Sequence, residues 1–566
     1  MKTTIDRPAA KFTPSRRLFA IARLSPLWLA SILCIGELLD ANVTAKATEQ
    51  AAAPSPAATS PTASTTPNIV VILADDLGYG DVRCNNPERG KIATPHIDRL
   101  ASQGMRFTDG HSSSGVCSPS RYTLLTGRYH WRTRLQSGIV GVFGNPLIAA
   151  DRLTIAGLAK RRDYQTACVG KWHLGRDWPV DEAERQALAA PKDRPAVADD
   201  RLRAIWRDVF SRPIPGGPTT RGFDFYFGTD VPNWPPYCFI ENDRTQGIPT
   251  EFLPADLLKN HQASIQGPAL ANWKLEPILP ALGDRAVQFI QQNAAAKKPF
   301  LLYMPLTTPH TPLSVNDEWK GKSGLGPFAD LVMETDAVVG RVLDALEKSG
   351  VAQNTLVVFT ADNGCAPYIG VKELEAAGHF PSGPFRGYKA DVWEGGHRVP
   401  FIIRWPGIVQ PGSVCDQLVH HADFMATFAE VLAEPLPDNA GEDSFSLIPL
   451  LKGSVEPVRA NAVSCSSGGV PGLRLGSWKY IPFNGSGVRV AANETQTSVQ
   501  LYDLATDFSE SKNLAADQPE RVAAMSGLLE KIIVDGRSRP GPKQSNDVRV
   551  RRFPADSPRA KGKKKN

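Results

Sequence analysis

Long apolar runs, each stopped abruptly by acids, glycine or proline, recur along the chain. The first is Asn68-Ile69-Val70-Val71-Ile72-Leu73-Ala74, and Asp75-Asp76 ends it. An unbroken run of this kind predicts a strand buried on both faces. Thr166–Gly170, Phe300–Pro305, Leu356–Thr360 and Pro400–Arg404 carry the same signal. Between them lie segments with helical spacing: Pro95–Gln103, Ser118–Tyr129, Leu153–Arg161, Arg285–Gln292 and Asp423–Val431. The clearest is Asp330–Lys348, where Leu331, Val332, Val338, Val339, Val342, Leu343 and Leu346 are spaced for one face. Strands alternating with helices predict an α/β fold, a large mostly parallel sheet sandwiched by helices. Ligands of such sheets bind beyond the carboxyl ends of the strands. Asp75, Asp76, Asp362 and Asn363 all fall at such ends.

The texture changes twice. Residues 180–220 are charged and dotted with proline, which predicts an insertion over the surface. From about Gly441 short strand-like pieces appear, Leu473–Tyr480 and Val499–Leu504, followed by a helix over Gln518–Val534. These predict a smaller C-terminal α+β domain. The organisation read from the chain is an export signal over 1–45 and an Ala/Pro/Ser/Thr linker over 46–66. A catalytic domain follows over 67–440, the C-terminal domain over 441–538, and a basic disordered tail over 539–566.

The 566 residues are ample for a large core, at 42% hydrophobic and 22% charged. The net charge of +6 owes much to the tail, which holds Arg551, Arg552, Lys561 and Lys563 to Lys565. Such a run predicts a solvated end. No basic stripe interleaves with aromatics, so nucleic acid is not an expected partner. At the N-terminus Arg16-Arg17 precede an apolar stretch from Leu24 to Gly36, too short for a comfortable span. It reads as an export signal with a twin-arginine look, placing the protein in the periplasm or outside the cell. An uncleaved membrane anchor is the alternative. Eight cysteines (34, 84, 117, 168, 238, 365, 415 and 465) form no C-x-x-C pair. An exported chain could pair some of them, with connectivity open.

The candidate chemistry starts at Cys117-Ser118-Pro119-Ser120-Arg121. A Cys opening a helix lies where free N–H groups and the macrodipole favour an anion. Arg121, one turn on, would hold a tetrahedral oxyanion from the same side. Asp75, Asp76, Asp362 and Asn363 offer the oxygens a hard cation wants, and the absence of neighbouring thiolates favours Ca2+ or Mg2+ over zinc. Lys171 and His173, two apart after a strand, would point the same way in an extended chain. Together they could hold an anion and move a proton. Thr308-Pro309-His310-Thr311-Pro312 is a stiffened loop that presents His310. Phe385-Arg386-Gly387-Tyr388-Lys389 leads to Glu394-Gly395-Gly396-His397-Arg398, read as a tight turn before a buried strand. His379 and His397 flank Lys389 as further candidate substrate contacts. The other histidines, including His96, His111, His130, His261, His420 and His421, are assigned to surface or core. Trp234-Pro235-Pro236-Tyr237 is a candidate sugar-stacking stretch, with local packing as the plainer reading.

The Cys117 run resembles the signature of the formylglycine-dependent sulfatases of the alkaline-phosphatase-like superfamily. Gly170-Lys171-Trp172-His173, Thr94-Pro95-His96-Ile97-Asp98-Arg99-Leu100, Gly222–Gly228 and Leu501-Tyr502-Asp503-Leu504 extend the resemblance over about residues 66 to 535. The resemblance implies that Cys117 is oxidised to formylglycine by a formylglycine-generating enzyme. It implies Ca2+ on Asp75, Asp76, residue 117, Asp362 and Asn363. It implies Arg121, Lys171, His173, His310 and Lys389 as catalytic residues. Lys171 and Lys389 would bind the sulfate, His173 would contact the formylglycine hydrate, and His310 would stand near the leaving group. Tyr388-Lys389-Ala390 departs from the Gly that many members place around this Lys. The implied reaction is sulfate-ester hydrolysis; export and the basic charge balance, not the motifs, favour a sulfated carbohydrate over a small aryl sulfate. Two rivals stand beside it: a formylglycine-dependent phosphodiester or phosphonate monoester hydrolase, and a non-catalytic sulfoglycan-binding protein. Nothing in the motifs sets the oligomeric state.

Overall fold

The apolar run after Asn68 becomes β1 (Asn68–Ala74), buried at every position. Ile69, Val71 and Leu73 enter one core while Val70 and Ile72 enter another, so both faces of the strand are covered. Each such side chain contributes about 1.5–3 kcal/mol when fully buried. The computed structural model describes residues 66–188, 197–258, 264–490 and 498–553. The export-signal region, nearly all of the linker and the last residues of the tail lie outside the described residues.

The other strands of the main sheet are β2 (Met105–Phe107), β3 (Gln165–Val169), β4 (Phe225–Gly228), β5 (Ile240–Glu241) and β6 (Arg244–Thr245). They are joined by β7 (Phe300–Pro305), β8 (Thr355–Ala361), β9 (Phe401–Arg404) and β10 (Ser413–Cys415). The ten strands run in the order β10-β2-β9-β8-β1-β7-β3-β4-β5-β6. The central strands β8, β1, β7, β3 and β4 are parallel, and antiparallel pairs flank them. Helices α1 (Pro95–Ser102), α5 (Ile278–Ala295) and α6 (Pro327–Lys348) cover one face. Helices α2 (Cys117–Thr126), α3 (Ile155–Lys160), α4 (Asp200–Ser211) and α7 (Asp423–Val431) cover the other. The α/β sandwich is thus the one the pattern predicts. Helix α6 begins earlier than its apolar face because Pro327 sits in its first turn, where a missing N–H costs nothing.

The segment read as a surface insertion contains α4, which is not a surface element. The Asp199 side chain caps it by accepting from Leu202 N (2.8 Å), and Trp206, Val209 and Phe210 enter the core. These three stand at i, i+3 and i+4, a pattern the surrounding charges and prolines obscured.

The C-terminal unit is an antiparallel sheet of β11 (Asn461–Cys465), β12 (Pro471–Leu475), β13 (Trp478–Ile481) and β14 (Gln500–Asp503), with α8 (Pro519–Val534) against it. The single strand read over Leu473–Tyr480 is a hairpin. Leu475 pairs with Trp478 across Gly476-Ser477, and Gly476 takes φ +56. Helix α8 buries Met525, Leu529, Ile532 and Ile533 with Tyr129 and Trp131, which follow α2. The tail reading is also corrected for residues 539–553. Arg128 bonds Asp547 in two places (3.1 and 2.9 Å) and Arg132 donates to Asn546 (3.0 Å), so this stretch is fastened to the body. Only residues 554–566 lie outside the described residues there. Among the described residues no helix is long and apolar enough to cross a membrane. The seven described cysteines are all unpaired.

Candidate active site

Four strand ends converge through main-chain bonds. Asp362 N donates to Ala74 O (3.0 Å), which sets the end of β8 beside that of β1. Asp75 N donates to Thr308 O (3.0 Å), and Lys171 N to Pro305 O (2.7 Å), which bring in the loops after β7 and β3. Gly170 permits the last approach: a Cβ there would lie 1.8 Å from Pro305 O. Cys117 is the first residue of α2 and points its thiol into this junction. Lys389 N donates to Cys365 O (2.9 Å) and Ala390 N to Gly115 O (2.7 Å), so the Lys389 loop closes over the same place.

The side chains form one cluster. Cys117 Sγ is 3.6 Å from both Asp75 Oδ1 and Lys171 Nζ. Lys171 Nζ donates to Asp75 Oδ2 (2.6 Å), and Lys389 Nζ to Asp76 Oδ2 (2.6 Å). His310 Nε2 is 3.6 Å from that same Asp76 oxygen. Its Nδ1 lies 2.5 Å from Thr311 O and serves as the donor there. His173 Nε2 lies 3.1 Å from Val140 O. A carbonyl only accepts, so Nε2 carries the proton and Nδ1 is the acceptor, buried and without a hydrogen-bond partner. His173 does not continue an extended strand from Lys171; it takes φ +53. Arg121 also departs from expectation. Its Nε and Nη2 donate to Asp362 Oδ2 (3.0 and 2.7 Å) and its Nη1 to Lys171 O (3.0 Å). These bonds make the guanidinium a brace of the site.

Three acids (Asp75, Asp76, Asp362) face three cations (Arg121, Lys171, Lys389) in near-complete burial. Burial opposes charge on Asp75, but Lys171, His310 and Arg121 together hold it well below the usual carboxylate range. Burial, with Asp75 beside it, pushes Asp362 up to about 7. Burial pushes the Cys117 thiol well above its usual range, so it stays protonated and a poor nucleophile. Burial also lowers both histidines, His310 to about 4 and His173 further with help from Lys171 and Arg121. Both are neutral as they stand.

The donor chemistry fits a hard cation. Ligand atoms of Asp75, Asp76, Cys117 and His310 lie within 4.8 Å of one another. Asn363 Nδ2 donates to Asp76 Oδ1 (2.8 Å), while Asn363 Oδ1 is buried with no hydrogen-bond partner. A buried amide oxygen left unpaired beside three carboxylates is an acceptor awaiting positive charge.

Other candidates lie elsewhere. His379 is fully buried and bonds Asp81 Oδ1 (2.8 Å), so it is a brace and not a substrate contact. His397 lies in a second buried cluster, 3.0 Å from His111 Nδ1 and 3.2 Å from Lys479 Nζ. The Glu394–His397 stretch is a short helix, not a turn. Its glycines serve close approach: a Cβ on Gly396 would lie 2.2 Å from Asp391 O. Tyr237 is core, its hydroxyl lying 2.7 Å from Asn233 O and 2.6 Å from Ile265 O. Trp234 is half-buried and packs edge-on to His173, with centroids 5.2 Å apart. Sequence reading missed Tyr368, whose hydroxyl lies 3.5 Å from Lys389 Nζ. The only available signal was an aromatic six residues after Asp362.

Comparison with known proteins agrees with this geometry. A family model for sulfatases matches residues 67–433. The N-acetylgalactosamine-6-O-sulfatase of Bacteroides thetaiotaomicron is 32% identical over 506 residues, covering 82% of this chain and 93% of that protein. Human arylsulfatase A is 31% identical over 508 residues, 84% of this chain and 90% of that one. A solved structure from the metabolism of multiple glycosaminoglycans by Bacteroides thetaiotaomicron superposes with a TM-score of 0.70 at 30% identity. It covers 83% of this chain and 99% of that one. With two-thirds of its length matched to the family model and its strand-end cluster intact, the chain belongs to the sulfatase family and is a sulfuric ester hydrolase.

Proposed function

We propose that this sulfatase cleaves sulfate esters of carbohydrates, using a formylglycine made from Cys117 and one Ca2+ held by Asp75, Asp76, Asp362, Asn363 and residue 117. The observation that carries the reading is the buried cluster itself. A thiol too high in pKa to act unmodified sits at a helix start, among three acids, three cations and an unpaired amide oxygen. Formylglycine, as its hydrate, supplies two hydroxyls on one carbon. A bound divalent cation supplies charge that polarises oxygen.

The chain's own residues do the rest. Lys171 and Lys389 each carry three N–H donors and show two nearby polar partners, so each retains a donor for a sulfate oxygen. His173 offers a neutral Nδ1 that takes a proton from a hydroxyl on residue 117. His310, with Lys389, delivers a proton to the departing alcohol; the substrate's negative charge would raise His310 from its low resting value. Arg121 positions Asp362 and the Lys171 backbone. The carbohydrate class draws support from the N-acetylgalactosamine-6-O-sulfatase relative. Export from the cell, read from Arg16-Arg17 and Leu24–Gly36, suits an extracellular glycan.

The test is sulfate release by full-length protein co-expressed with a formylglycine-generating enzyme. N-acetylgalactosamine 6-sulfate heads a panel of sulfated sugars, beside p-nitrophenyl sulfate and an aryl phosphodiester. Release from a sugar sulfate, absent in Cys117→Ala, is expected. Turnover of the phosphodiester alone would replace this reading.

A further inference from the structure

Exposure rises from Cys117 to Lys389 to Tyr368. Cys117 is 2% exposed, the Lys389 side chain 12% and Tyr368 38%. Lys389 and Tyr368, whose hydroxyl lies 3.5 Å from its Nζ, therefore form a more exposed edge of the cluster. Trp234 packs its ring against His173.

The segment carrying Tyr368 is fastened at both ends. At its base Lys389 N donates to Cys365 O (2.9 Å). At its far end the fully buried His379 bonds Asp81 (2.8 Å), Lys91 N donates to His379 Nδ1 (3.1 Å), and Gly80 N donates to Pro381 O (2.7 Å). Gly78 and Gly80 let the two loops touch, since a Cβ on either would lie 2.3 or 2.1 Å from the oxygens of Pro381 or Phe380. Asp81 follows the cation-site acids Asp75 and Asp76 by a few residues, so the wall and the sulfate site are built on one support. The Tyr368 hydroxyl, 3.5 Å from Lys389 Nζ, fixes the ring's direction further.

We propose that Tyr368 is the specificity-determining wall of the leaving-group site. Its ring receives the apolar face of the pyranose that bears the sulfate, while Lys389 beside it holds the ester. The electron-rich face of an aromatic ring matches the C–H groups of a sugar face, and its rigidity makes that contact cheap in entropy. This inference rests on the carbohydrate reading above.

The experiment compares wild type, Tyr368→Ala and Tyr368→Phe, each carrying formylglycine. The readouts are KM and kcat for a sulfated monosaccharide, kcat/KM for p-nitrophenyl sulfate, and inhibition by inorganic sulfate. Tyr368→Ala is expected to raise the sugar KM about tenfold or more, with sulfate inhibition unchanged. Tyr368→Phe is expected to recover most of that loss. An unchanged sugar KM in Tyr368→Ala would overturn the proposal. So would a parallel weakening of sulfate inhibition, which would make Tyr368 a support for Lys389 only. Wild type that cleaves the aryl sulfate but no sugar would remove the carbohydrate reading, and this inference with it.

Discussion

Two buried clusters of histidines, acids and cations sit in this molecule, and they differ in what is left unpaired. One surrounds Cys117 at the strand ends. The other joins the main sheet to the C-terminal sheet through Asp109, His111, Glu394, His397, Arg398, Arg474, Lys479 and Glu510. In the second, three acids face three cations as in the first. Arg398 reaches Asp109 and Glu394 (2.7 Å each), Arg474 reaches Asp109 (2.9 Å), and Lys479 reaches Glu394 and Glu510 (2.9 Å each). Its two imidazoles spend a ring nitrogen on each other. The first cluster leaves two neutral acceptors, Asn363 Oδ1 and His173 Nδ1, buried without a hydrogen-bond partner; the second leaves a donor, Arg474 Nε, and Glu510 Oε1, which still lies 2.9 Å from the Lys479 ammonium. A closed network of charges specifies how two units meet. An open one holds groups ready for a ligand that is itself charged. Burial and charge count alone do not separate the two; the unspent neutral acceptors Asn363 Oδ1 and His173 Nδ1 do.

The contrast can be broken by mutation. Cys117→Ala removes the nucleophile position and should abolish sulfate release while the thermal midpoint stays near wild type, as read by calorimetry. Stripping divalent cations with a chelator should remove most turnover, and Ca2+ should restore it; activity that survives exhaustive chelation would contradict the open-site reading. Lys389→Ala should lower kcat/KM by about 10²–10³, because it removes a sulfate-facing charge, and it also unpairs the buried Asp76. Lys479→Ala should act on stability. It leaves Glu394 and Glu510 buried without their shared ammonium and should cost about 3–5 kcal/mol of stability in denaturant unfolding. The smallest expected effect is in pH. Burial and Asp75 push Asp362 up to about 7, so below that pH a bound cation must displace its proton. Calcium affinity should therefore weaken as the pH falls through about 7 and level off above it, measured by titration calorimetry.

Much of the first cluster was legible in the chain. Asp75-Asp76 and Asp362-Asn363 each end a fully buried run, and parallel strands in register bring such ends together without further information. Cys117, Lys171, His310 and Lys389 follow short motifs whose spacing survives folding. The second cluster was not legible as a cluster: Glu394, His397 and Arg398 share one run, but Asp109, His111, Arg474, Lys479 and Glu510 come from segments remote from it in sequence. Glu394 and His397 were visible only as neighbours of Lys389. The hairpin at Gly476 was read as one strand because Leu473 to Tyr480 is apolar enough to hide a two-residue turn. Helix α4 was missed because its apolar stripe is only three residues wide in a charged setting. The bracing role of Arg121 could not be foreseen, since its partners Asp362 and the Lys171 carbonyl are remote in sequence.

The most direct measurement is a Ca2+ titration by calorimetry of wild type, Asp362→Asn and Glu394→Gln, each checked for folding by circular dichroism. The account predicts one Ca2+ per wild-type chain, binding lost in Asp362→Asn, and binding retained in Glu394→Gln. Binding that survives Asp362→Asn but disappears in a folded Glu394→Gln would contradict it, because the ion would then belong to the cluster taken here as closed.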